Sequence, residues 1–140
     1  MAHVTLITLG VSDVAASTAF YEPLGFEKSS GSEASITFLY AGALVLSLFR
    51  REDLAADVGV PAAGSGFRGV TLAMNLGAAE EVDEAFARWV AGGAVPIKTP
   101  QRAEWGGYSS YVADPDGHLW EIAHNPYMQL RADGSAERSG

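Results

Sequence analysis

The sequence predicts an α+β fold: two βαβββ modules whose strands form a curved, mostly antiparallel eight-stranded sheet around a cavity, with the helices outside. Three observations point there. The order strand, helix, strands occurs twice, in residues 4–50 and 69–126. Each copy closes with a hairpin that turns at a glycine, Gly42 or Gly117. The 140 residues are 48% hydrophobic, enough for one shared core, whereas one such module buries little alone. Residues 51–68 then read as a linker and 127–140 as a flexible tail, all within one domain.

The elements follow in order. "TLITLGV", residues 5–11, is apolar and rich in β-branched residues, as a strand requires. Ser12 or Asp13 can cap the helix that "VAASTAFYE" begins, and Pro23 with Gly25 ends it. A short strand at 25–29 is possible before the hairpin of residues 34–50. The Ala-, Gly- and Pro-rich linker carries at most one helical turn, at 52–57. In the second copy "GVTLAMNL" is a strand, and residues 78–93 a helix with Val82, Phe86, Trp89 and Val90 on one face. "AVPIKT" is a short strand, and "YSSYVA" with "HLWEIAH" makes the final hairpin across "DPDG".

Composition excludes several classes of function. With no cysteine there is no disulfide, zinc–thiolate site or cysteine nucleophile. A net charge of −8 speaks against nucleic acid, which needs a basic face. No apolar run nears the roughly 20 residues that cross a bilayer. The expected setting is cytoplasmic, with no membrane partner.

The chemistry concentrates at the end of the second copy. Glu121 stands in an apolar run, between Leu119, Trp120, Ile122 and Ala123, where a carboxylate is costly without a partner. It is read as a ligand-meeting carboxylate or a general base, against a plain pairing with a neighbouring donor. Period two turns His118 and His124 away from it. His3 precedes the first strand and Asp114 and Asp116 serve the turn. Trp105, between Glu104 and the pair Gly106–Gly107, can stack on a flat ligand, with Tyr108 beside it. Leu6, Thr8, Phe38, Tyr40, Leu44, Leu46 and Leu48 are expected to line the cavity from the first copy, and Thr71 and Asn75 from the second. Phe20, Tyr21, Phe86 and Trp89 sit on helices and are core or interface residues.

"LGVSDVAASTAFYEPLGF" and "WGGYSSYVADPDGHLWEIAHNP" together resemble the vicinal oxygen chelate superfamily, over about residues 4–126. That group contains glyoxalase I, bleomycin-resistance proteins, fosfomycin-resistance enzymes and extradiol dioxygenases. The resemblance implies a divalent metal held by symmetric positions of the two modules. Here those positions read Leu6, Leu46, Thr71 and Glu121, and Glu121 is the one good ligand. No metal and no other cofactor is therefore expected. The reading that follows is metal-independent binding of an aromatic small molecule or antibiotic, as in the bleomycin-resistance branch. The alternative is a metal-dependent lyase, isomerase or dioxygenase with the ion at Glu121. The resemblance also implies a homodimer.

Overall fold

The computed structural model describes residues 2–137. The chain divides into two compact units, Met1–Arg68 and Gly69–Gly140.

The first unit opens with strand β1, Leu6–Val11. Helix α1, Val14–Tyr21, follows at once because Asp13 caps it: its carboxylate accepts from the Ala16 amide at 3.0 Å. Pro23 sits in a 3-10 turn, Glu22–Leu24, and Gly25 at φ 107° takes the left-handed conformation that ends it. Strands β2, Glu27–Lys28, β3, Ile36–Ala41, and β4, Leu44–Arg50, come next. The linker then forms helix α2, Arg51–Val58, two turns rather than one. Glu52 and Asp53 in its first turn suit the positive end of the helix, and Gly59 at φ 89° stops it. The sheet order is β1-β4-β3-β2; β1 runs parallel to β4 and the other pairings are antiparallel.

One face of this sheet is the core. Leu9, Val11, Leu39, Leu46 and Leu48 are buried there. The Thr18 hydroxyl of α1 donates to Thr37 of β3 at 2.9 Å, so this face looks toward α1. Phe20, Tyr21 and Phe26 interlock edge to face, with centroids 4.9 and 5.6 Å apart.

The second unit contains strand β5, Leu72–Asn75, helix α3, Ala79–Ala91, and strands β6, Val95–Arg102, β7, Tyr108–Ala113, and β8, Leu119–His124. Their order is β5-β8-β7-β6, again with one parallel pairing, β5 with β8. The eight strands are thus divided between two four-stranded mixed sheets. β5 is shorter than its apolar run, because Gly69 turns at φ 78° before it. β6 is longer, but its pairing shifts near Lys98, and Pro96 and Pro100 mark it as an outer strand. From α3 the side chains of Val82, Ala85 and Trp89 are buried, and Trp89 packs on Trp120 with ring centroids 5.1 Å apart. Phe86 and Val90 are half-buried. Beyond β8, Leu130 bridges Ala136, and the Arg131 side chain donates to the Ala136 carbonyl at 2.8 Å. Among the described residues, no helix is long and apolar enough to cross a membrane.

Candidate functional site

Register decides which face each candidate occupies, since directly paired residues share a face. In the second unit Glu121 is level with Ala73 on β5 and with Tyr111 on β7. Trp120 and Ile122, its neighbours along the strand, point to the opposite face, where Trp120 meets Trp89 of α3. Glu121 therefore lies on the face turned away from α3.

Tyr111 is the neighbouring donor of the plain-pairing alternative, although the sequence reading did not single it out by number. Its phenol is held above its ordinary value, first by burial, then by the negative charge of Glu121 and by the hydrogen bond between them. The hydroxyl donates and the carboxylate accepts. Both residues are half-buried. Asn75 shares this face, level with Ala123, and is half-buried; Thr71 is exposed and precedes β5.

Tyr108, expected beside Trp105 as a ligand contact, lies on the other face. It is level with His124, and its hydroxyl donates to Asp83 of α3 at 2.7 Å. That bond, together with the charge of Asp83, raises its phenol. Tyr108 and Tyr111 are three positions apart, so in a strand they face opposite ways. Counting back across the "DPDG" turn from Glu121 reaches Tyr111, and that count was the available signal.

Trp105 sits in the turn between β6 and β7, 48% exposed. The Ala103 amide donates to the Gly107 carbonyl at 2.8 Å, closing the turn. The indole lies directly over Gly107: a side chain there would meet the ring at 1.8 Å. Tyr127 covers the neighbouring Gly106 and is 76% exposed. The two aromatics thus lie against their own backbone.

His124 and the turn residue Asp114 serve the scaffold. His124 Nδ1 meets the Leu76 carbonyl at 2.9 Å. Asp114 is buried and accepts from the amides of Asp116 and His118 at 2.9 and 2.8 Å.

In the first unit the expected lining group separates. Thr8 of β1 is level with Ser47, and Ser47 with Phe38. The Thr8 and Ser47 hydroxyls are 2.6 Å apart. Leu6 and Tyr40 share that face and are exposed, and the Tyr40 hydroxyl donates to Ser29 at 3.4 Å. Leu46 and Leu48 do not join them. They are level with Leu39 and Thr37, on the face toward α1, and are 2% and 0% exposed. Leu44 has the same parity. The position level with Thr8 is Ser47, one residue beyond Leu46, and a one-residue step along a strand inverts the face.

A divalent metal needs several hard oxygen or imidazole donors. Leu6, Thr8 and Ser47 in one unit, and Thr71, Ala73 and Glu121 in the other, supply one carboxylate. Among the described residues no three His, Cys, Asp or Glu side chains gather at one point. This donor set does not fit the metal centre that the resemblance implies.

A sequence model of the Glyoxalase/Bleomycin resistance protein/Dioxygenase superfamily matches residues 1–122. The chain belongs to that superfamily. No match was found among curated proteins. Among solved structures, this superfamily member is similar to a glyoxalase-related enzyme from Fulvimarina pelagi, at 37% identity over 100% of both chains with a TM-score of 0.88. It is also similar to a glyoxalase/bleomycin resistance protein/dioxygenase from Nocardioides, at 26% identity over 94% of this chain and 91% of that one, TM-score 0.73. A third similarity is to lactoylglutathione lyase from Agrobacterium tumefaciens, at 26% identity over 89% and 95% of the two chains, TM-score 0.67. The superfamily thus contains both names of enzymes and names of resistance proteins, and the difference must come from the residues of each site.

Proposed function

We propose that this chain binds a flat, poorly soluble organic molecule, such as an aromatic natural product or antibiotic, and sequesters it without a metal. The observation that carries this is Glu121: a half-buried carboxylate on the face away from α3, with Tyr111 as its partner and no second metal-type donor level with it. A carboxylate among apolar neighbours can fix the orientation of an organic ligand, which supports this reading. The half-exposed indole of Trp105 offers a separate stacking surface.

Thermal denaturation across a library of aromatic compounds tests the reading. A true ligand at about 100 times its Kd stabilises the fold by about 2.7 kcal/mol, and does so equally with and without a chelator. One divalent ion per purified chain, with activity lost on chelation, would overturn it. The likeness to a lactoylglutathione lyase favours a second reading, an isomerase or lyase in which Glu121 removes a proton as general base. On that reading Glu121→Gln abolishes turnover while leaving ligand-induced stabilisation in place.

A further inference from the structure

We propose that the group received at Glu121 is a cationic, N–H-donating nitrogen on a flat ligand, that it enters over Ala73, and that Tyr111 is the positioning residue that aims the carboxylate. This deepens the binding reading above and rests on it.

The two sides of Glu121 differ. Toward β7 Glu121 is level with Tyr111, whose hydroxyl donates toward the carboxylate. Toward β5 it meets Ala73, a methyl group on an exposed residue of the sheet's outer strand. A carboxylate has about four acceptor positions, and one hydroxyl fills one of them. Among the described residues no Lys, Arg or His pairs with Glu121. On the β5 side the residue level with Glu121 is Ala73, which offers no donor, while Lys98 of β6 lies beyond Tyr111 in the same row.

The surroundings select the charge of the visitor. Leu119 and Ala123 flank Glu121 on its own face. A neutral N–H already gains from the ionised carboxylate, and a cationic donor adds Coulomb attraction, which partly dry surroundings screen less than water does. An anion meets repulsion there, and the net charge of −8 adds to it at longer range. Asn75, two residues along β5 from Ala73 on the same face, supplies an amide beside the entry and orients a planar ligand.

Benzamidinium, benzamide and benzoate share one shape and differ in charge, so they test the proposal. Binding is followed on the full chain by amide NMR of β5 and β8 and by the 13Cζ signal of Tyr111. Benzamidinium is expected to bind at least about tenfold more tightly than either analogue. It should also lower the Tyr111 titration, because a cation at Glu121 cancels the charge that raises it. A residue of purely structural importance would show no such shift. Glu121→Gln should weaken benzamidinium at least about tenfold. Ala73→Leu should block it while leaving the Tyr111 titration of the free protein unchanged. Tyr111→Phe should weaken it severalfold with an unchanged amide spectrum elsewhere. Equal binding of the three compounds, a Tyr111 titration unmoved by benzamidinium, or undiminished binding by the Glu121→Gln protein would each overturn the proposal. If neutral aromatics from the library stabilise the chain and benzamidinium does not bind, the site chemistry falls and the binding function stands.

Discussion

Leu48→Ala tests the face assignment of β4 most directly. Leu48 is 0% exposed, level with Leu9 on one side and Thr37 on the other, on the face toward α1. Truncating a fully buried leucine removes its transfer energy and leaves a cavity, at a cost of about 3 to 5 kcal/mol. Unfolding entropy near the midpoint is about 2.1 cal/mol/K per residue. For a cooperative chain of 140 residues, 3 kcal/mol then lowers Tm by about 10 °C. Leu6→Ala serves as the comparison. Leu6 is 40% exposed, and the same truncation there should cost under about 1 kcal/mol.

The measurement is urea unfolding followed by circular dichroism. Tryptophan fluorescence is unsuitable, since all three tryptophans lie in the second unit. A loss below about 1 kcal/mol for Leu48→Ala, with a larger loss for Leu6→Ala, would show that β4 presents its leucines on the other face. The register argument for Ser47 would fall with it.

Other substitutions probe the second unit. Trp89→Ala empties the contact with Trp120 and should cost about 3 to 5 kcal/mol, read as a fall in the urea midpoint. Gly107→Ala places a methyl where the Trp105 ring lies, so the indole must leave; its fluorescence should shift to the red with little change in Tm. The fold holds the Tyr111 phenol above its ordinary value, so the unfolded chain ionises first. That contribution to stability is full below about pH 10 and is lost as pH rises through the folded-state value. Urea midpoints between about pH 9 and 11.5 should show the loss, and Glu121→Gln should reduce it.

Much of the fold was legible because its signals are local. Asp13 precedes an apolar helix and caps it, and Gly25, Gly42 and Gly117 turn at positive φ where turns were expected. The helix at α2 was less legible because its apolar content is low: Leu54 is half-buried and none of its residues is buried, so no stripe announced it. Phe20, Tyr21 and Trp89 were readable as core from their residue type and their place on helices, whereas Phe86, grouped with them, is half-buried. Side-chain direction in the strands was harder, because it depends on register, which a neighbouring strand sets.

Leu46 shows how that dependence works. Counting four residues from the turn glycine gives Leu46 in one module and Glu121 in the other. Counting from the helix caps gives another answer. Thr8 lies five residues before Asp13, and Ala73 five before Ala78, so these two are equivalent. Thr8 is level with Ser47 and Phe38; Ala73 is level with Glu121 and Tyr111. The modules thus differ by one residue between turn and ladder, and an odd step reverses a strand's faces. The equivalent of the Glu121–Tyr111 pair in the first module is Ser47 with Phe38, a hydroxyl beside a ring that cannot donate. The hydroxyl of Ser47 turns instead to Thr8. Neither module offers two carboxylate or imidazole donors at level positions among the described residues, and in the second the residue level with the carboxylate on β7 is a phenol. On the proposed reading that single charge meets an organic donor group, because it is not shared among the ligands of an ion.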